Sequence, residues 1–130
     1  MKRLFYQATC VALISLVSRN LQAENPISYN RDIRPILADK CFACHGFDEK
    51  KREAGLRLDT AEGATLKRDG KSAIAPGDLA SSVLWERLHA SDPDIKMPPP
   101  ESHKELTPAE IELLGRWIKE GAQYQKHWSF

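Results

Sequence analysis

The sequence predicts one small all-α domain with long loops, and three observations support this fold class. The chain has 130 residues, which is enough for one compact core and too few for two ordinary domains. Apolar residues recur at three- and four-residue spacing near both ends of the chain, which is the period of a helix buried on one face. No segment has the sustained alternation of a half-buried strand. We therefore expect helices joined by irregular segments.

The first 23 residues have the layout of an export signal. A basic start precedes an apolar run over residues 8–17, and about ten residues are far fewer than the roughly 20 that a membrane-spanning helix needs. We expect cleavage after Ala23, a periplasmic or otherwise exported location without a stable membrane span, and a mature domain over residues 24–130. Cys10 raises the alternative of a lipid anchor, but the residues before it lack the leucine and small residues that usually precede one.

The charge of the mature chain argues against one class of partner. The full sequence has 19 Lys and Arg against 18 Asp and Glu, and removal of the signal segment takes away three bases and no acid. Lysines and arginines are interleaved with acids throughout, so the sequence predicts no basic face of the kind that binds nucleic acid. Nucleic acid is therefore not an expected partner.

The first helix is expected from about Tyr29 to Asp39. Pro35 lies inside this stretch and has no amide proton to donate, so it should kink or divide the helix. The helix should end just before Cys41. Its apolar positions recur at helical spacing at Ile33, Ile36 and Leu37.

The middle of the chain is expected to consist mostly of loops. Residues 47–53 form a charged run that is typical of a solvated loop. A helix capped by Asp78 or Ser81 should run through about His89. Four prolines between residues 91 and 105 predict an irregular loop across the surface of the core.

The last helix has the clearest signals. Thr107 should cap it, Pro108 suits its first position, and Glu110 stands three residues after the cap, as in a capping box. Gly121 should end it. Its apolar stripe, which must pack against the rest of the domain, comprises Ile111, Leu114 and Ile118, with Trp117 beside them.

One short segment carries the chemistry of this sequence. Residues 41–45 read Cys-Phe-Ala-Cys-His, which is the signature of c-type haem attachment. The thiols of Cys41 and Cys44 are spaced to bond the two vinyl groups on one porphyrin edge, and His45 is then drawn beneath the iron as its proximal ligand. The segment predicts one covalently attached haem c.

Three other interpretations of the two cysteines each require a further feature. A thioredoxin-like redox pair requires a strand–helix pattern with a parallel sheet, and the sequence shows no strong strands. A structural zinc site requires a second ligand pair, and no further cysteine exists in residues 24–130. A disulfide between Cys41 and Cys44 suits an exported chain but leaves His45 unexplained.

Met97 is the candidate for the second axial ligand. It is the only methionine after Met1, and the three prolines that follow it provide a rigid segment to hold its thioether over the iron. An ordinary core methionine is the alternative role for this residue. His89 and His103 are the rival ligands.

The wall of the haem pocket is expected to be apolar. Residues that line the pocket can also form the hydrophobic core, because in so small a domain the haem is part of the core. An apolar surrounding also raises the reduction potential, since it disfavours the more charged ferric state. The candidate wall residues are Leu56, Leu58, Leu84, Leu88 and Trp117.

Six segments, in order, resemble the planctomycete-type cytochrome c domain over nearly all of the mature chain. The resemblance implies a class I cytochrome c fold with His45 and Met97 as axial ligands, and it implies no known substrate. The segments are residues 30–37 (NRDIRPIL), 41–46 (CFACHG), 55–59 (GLRLD), 76–78 (PGD), 96–99 (KMPP) and 117–122 (WIKEGA).

The end of the sequence departs from the usual organisation of that family. There the haem domain commonly opens a much longer secreted protein, whereas this sequence stops at Phe130. Residues 124–130, which include Trp128, either pack against the domain or begin a linker.

Filled axial positions predict an electron carrier and not an enzyme. A haem with no open position transfers single electrons to a redox protein or domain partner. The alternative is a haem enzyme or sensor in which Met97 leaves the iron or never binds. A third hypothesis is a binding module without haem, held by a disulfide between Cys41 and Cys44. No oligomeric state is predicted.

Overall fold

A computed structural model describes residues 25–126, and this part of the chain is helical with long connections. It contains no strand, only two isolated bridges, so the all-α prediction is confirmed. No helix within it has the length and apolar character needed to cross a bilayer. The predicted signal segment, Trp128 and Phe130 lie outside the described residues. The α-helices are α1 (Arg34–Lys40), α2 (Phe42–His45), α3 (Ala61–Thr65), α4 (Val83–His89) and α5 (Pro108–Lys119).

The first predicted helix is divided, as Pro35 required. A π-helical turn over Tyr29–Ile33 comes first and is closed by the N–H of Arg34, which donates to the carbonyl of Tyr29. Pro35 then stands in the first turn of α1, where its missing N–H costs least. The α-helix continues to Lys40, one residue past the predicted end.

Helix α5 has the predicted ends. The Thr107 side chain accepts the N–H of Glu110 at 3.2 Å, and the Glu110 carboxylate accepts the N–H of Thr107 at 2.8 Å, which confirms the capping box. The helix closes before Gly121, whose φ of +107° suits glycine better than any other residue.

The predicted cap of α4 is wrong. The helix begins at Val83 after Ser82, and no side chain caps it. Asp78 and Ser81 bind each other in the preceding turn, where the carboxylate accepts the backbone N–H at 3.1 Å and the hydroxyl at 2.7 Å. Ser82 is buried, and its hydroxyl bonds both the Asp78 carbonyl and the N–H of Ala75. The side chains of Asp78, Ser81 and Ser82 are therefore hydrogen-bonded within the turn, and none of them caps the helix.

The core forms where α5 packs against the π-turn. Three aromatic rings contact one another there, with centroid distances of 5.7 Å for Tyr29–Trp117, 4.5 Å for Tyr29–Tyr124 and 5.2 Å for Trp117–Tyr124. Burial raises the pKa of the Tyr29 hydroxyl to about 12. The largest fully buried apolar side chains are Ile33, Leu37, Ile74, Leu114 and Ile118.

The segment after α5 is bound to the start of the domain. The Tyr124 hydroxyl donates to the carbonyl of Leu58 at 2.9 Å. The side-chain oxygen of Gln125 accepts the hydroxyl of Ser28 and the N–H of Asn30, both at 3.0 Å. Residues 124–126 thus belong to the packed domain, and whether a linker begins beyond them stays a prediction.

Substitution of Gly115 by alanine should destabilise the protein. Alanine is normally favoured over glycine inside a helix, but a Cβ at Gly115 would lie 2.6 Å from the Trp85 ring of α4. We expect the free energy of unfolding to fall by about 1–3 kcal/mol, as in overpacked cores. Thermal or denaturant unfolding measures this, with exposed Glu112→Ala on the same helix as the control. A Gly115→Ala protein more stable than wild type would contradict the close α4–α5 contact.

Candidate functional site

The residues 41–45 form one helical turn at the end of α1. The N–H of Cys41 donates to the carbonyl of Leu37, and the carbonyl of Cys41 accepts the N–H groups of Cys44 at 3.2 Å and His45 at 2.8 Å. Positions three and four residues apart share one face of a helix. The two thiols and the imidazole therefore lie on the same face of this turn.

Both cysteines are free thiols, so the described structure contains no disulfide between them. Cys44 is exposed, whereas Cys41 is half-buried. Burial, with a smaller contribution from Cys44, raises the pKa of the Cys41 thiol to about 12, which keeps it protonated at neutral pH. A closed zinc site needs four ligands. Among residues 25–126 no group of even three His, Cys, Asp or Glu side chains is placed to hold a metal ion.

The imidazole of His45 is half-buried and neutral. Its Nδ1 is buried with no hydrogen-bond partner. Burial lowers the pKa of His45, backbone groups of Glu53 and Leu56 oppose that shift, and the cation of Arg87 adds to it. A pKa below the usual value leaves the ring uncharged at neutral pH, which is the form that binds a metal. The ring is held by burial and by its backbone, and it fits the role of a haem ligand.

Three hydrogen bonds to backbone carbonyls fix the exit of this turn. The carbonyl of His45 accepts the N–H of Leu58 at 2.8 Å. The Arg52 guanidinium donates to the carbonyls of Gly46 at 2.9 Å and Phe47 at 2.8 Å. Residues 47–52 form a loop as predicted, and Glu53 begins a 3-10 turn. Phe47 is 79% exposed. The sequence did not indicate the role of Arg52, because nothing in a charged run distinguishes one arginine from its neighbours.

Gly46 allows the chain to turn back closely over α2. Its backbone is extended, so conformation alone does not require glycine, but a Cβ there would clash with the carbonyl oxygen of Phe42. That contact involves backbone, which cannot move aside as a flexible side chain would. The close approach of Gly46 to Phe42 is the physical reason for a glycine at the end of segment 41–46.

Gly46→Ala should disturb the placement of His45. We expect the free energy of unfolding to fall by about 1–3 kcal/mol and the yield of haem-loaded protein to fall with it, because the clash lies one residue from the imidazole. The exposed Ala43→Ser in the same turn serves as the control. Absorbance per protein and denaturant unfolding measure both effects, and wild-type values for Gly46→Ala would refute the steric argument.

Met97 lies half-buried in the predicted irregular loop, which is fastened at two places. The N–H of Met97 donates to the carbonyl of Arg87 in α4 at 3.1 Å. Near the other end, the Lys104 ammonium lies 2.9 Å from the carboxylate of Asp39, two residues before Cys41. Hydrogen bonds from Lys40 and Lys104 lower the pKa of Asp39 to about 2, so this carboxylate stays charged over the neutral range.

The two rival histidines face solvent. His89 is exposed, its ring centroid lies 4.2 Å from that of Trp85, and its Nδ1 is 2.9 Å from the Trp85 carbonyl. His103 is exposed at the end of a 3-10 turn, with a left-handed φ of +53°. Their exposure favours the half-buried Met97 as the second ligand.

The predicted wall residues all belong to the core. Leu58, Leu88 and Trp117 are buried, and the other two, Leu56 and Leu84, are half-buried against the same cluster. The indole N–H of Trp117 donates to the carbonyl of Gln123 at 3.1 Å. Their contact with a haem stays a prediction.

An all-helical domain that presents two thiols and a neutral imidazole from one turn has the donor set of the class of haem-binding domains. Residues 41–101 match the family model of the planctomycete cytochrome C, which confirms over this segment the resemblance found in the sequence. Cys41 and Cys44 lie within the matched segment. No curated protein and no solved structure matches the chain.

Proposed function

We propose that this chain is an exported, mono-haem c-type cytochrome that passes single electrons to a redox protein or domain partner. Cys41 and Cys44 hold the haem covalently, and His45 and Met97 are its axial ligands. The single observation that carries the proposal is the helical turn that places both thiols and the imidazole of His45 on one face. Export is inferred from the signal layout of residues 1–23.

The protein's own residues would have three tasks. The thiols of Cys41 and Cys44 would hold the haem through thioether bonds, each formed by addition of S–H across one vinyl double bond. The neutral imidazole of His45 and the thioether of Met97 would bind its iron. When bound, the haem iron supplies one-electron chemistry between its ferrous and ferric states.

The choice of Met97 as a ligand has an energetic consequence. A thioether raises the reduction potential relative to a second histidine, and burial among apolar side chains raises it further. Filled axial positions leave no open site for a substrate, and this favours electron transfer over catalysis. A haem enzyme or sensor is the alternative function, and the experiment must distinguish it from an electron carrier.

The visible spectrum of the full chain, expressed in the periplasm with a haem-maturation system, tests the proposal. We expect a low-spin, six-coordinate spectrum with the weak red absorbance of a sulfur–iron bond. A high-spin spectrum would instead indicate an open site and support the enzyme or sensor. Protein that carries no haem after this expression would refute the proposal and support the disulfide-held module.

A further inference from the structure

Arg87 connects helix α4 to the loop that carries Met97. Its backbone carbonyl accepts the N–H of Met97 at 3.1 Å, and its guanidinium donates to the carbonyl of Ile95, also at 3.1 Å. The main chain and the side chain of one residue thus hold the loop on both sides of Lys96. Arg87 is half-buried near the end of α4.

The guanidinium also brings a positive charge to this loop. The carbonyl of Ile95, which it binds at 3.1 Å, belongs to the residue two positions before Met97, the candidate ligand. Arg87 is therefore bonded to the loop of Met97 and places a cation within hydrogen-bonding distance of its backbone.

We propose that Arg87 is a positioning residue that holds Met97 in place as the distal ligand, and that its positive charge raises the reduction potential of the bound haem. The inference rests on the proposed ligation by His45 and Met97. A fixed cation near the iron disfavours the more positive ferric state. The bond to Ile95 restricts the loop, so the thioether spends less time away from the iron.

Two substitutions in the haem-loaded protein separate the two roles. Arg87→Gln removes the charge but leaves the backbone carbonyl that binds Met97. At a fixed potential we expect its ferrous-to-ferric ratio to fall roughly three- to tenfold, tenfold being 59 mV for one electron. We expect ferric protein to bind cyanide roughly three- to tenfold more tightly, because the loop opens more often. Arg87→Lys keeps the charge without the planar fork, so only cyanide binding should change.

A matched control removes a charge elsewhere. Lys119→Gln takes one cation from an exposed position in α5, and both the midpoint potential and the cyanide affinity should stay at wild-type values. Circular dichroism should show cooperative unfolding for every variant. If Arg87→Gln does not fold, Arg87→Met, which keeps the apolar stem, replaces it.

Each readout can overturn its half of the proposal. An unchanged midpoint potential in Arg87→Gln overturns the electrostatic role, and an unchanged cyanide affinity overturns the positioning role. Failure of the proposed function looks different: wild-type protein would then bind cyanide as tightly as Met97→Ala. In that case Met97 is not a ligand and Arg87 cannot position it. The midpoint potentials of wild type and Arg87→Gln still test the role of the charge.

Discussion

Replacement of both Cys41 and Cys44 by alanine is expected to abolish covalent haem attachment and leave the domain poorly folded. The two thiols are the only cysteines in residues 24–130, so no other side chain can form thioether bonds to the haem. The domain is small, and the haem would supply much of the apolar surface around which its helices assemble. Loss of cooperative thermal unfolding should therefore accompany loss of the haem.

Mass spectrometry and circular dichroism measure this effect. With a haem-maturation system, the wild-type chain should have the mass of residues 24–130 plus one haem, and the double variant should lack the haem. Cys10→Ala is the matched control, because cleavage after Ala23 removes that cysteine and leaves the mature mass unchanged. A double variant with a haem-free, cooperative transition like that of the wild type would contradict the folding role, and apo wild-type protein with free thiols would contradict attachment.

Met97→Ala is expected to open the iron. The thioether is the only one in the mature chain, and the loop that carries it is bonded to α4 through Arg87. Its loss should abolish the red absorbance of the sulfur–iron bond, lower the reduction potential and let cyanide or carbon monoxide bind readily. Met97→His should restore six-coordination at a lower potential. Absorbance spectra, redox titration and ligand titration measure these changes.

His89→Ala and His103→Ala are the controls for this assignment. Both histidines are exposed, and the ring of His89 is occupied by its contacts with Trp85. Neither substitution should alter the spectrum or the potential. If a histidine variant opens the iron while Met97→Ala leaves the spectrum unchanged, the protein is a bis-histidine cytochrome and the role assigned to Met97 is wrong.

Local chemistry made much of this protein predictable from its sequence. The attachment segment consists of five consecutive residues, and helical geometry alone puts Cys41, Cys44 and His45 on one face. The capping box of Thr107 and Glu110 depends on residues three apart, and Pro35 divides the first helix because it has no amide proton. In each case the interaction spans only a few residues, so the pattern and the structure coincide.

Contacts between distant segments were decided only by the tertiary structure. The cap assigned to Asp78 or Ser81 failed because the turn that buries Ser82 uses those groups first, and the sequence does not show which serine is buried. The clamp of Arg52 on the Gly46 carbonyl could not be read from a charged run.

The sequence by itself therefore determined the helical class, the attachment segment and the one methionine that can serve as a ligand. The tertiary structure decided which residues hold that methionine. Arg87 lies ten residues before Met97 and in a different element, and its two bonds to the loop follow from how α4 ends beside it. Sequence periodicity reports the face that a helix buries, but it does not report which loop packs against its last turn.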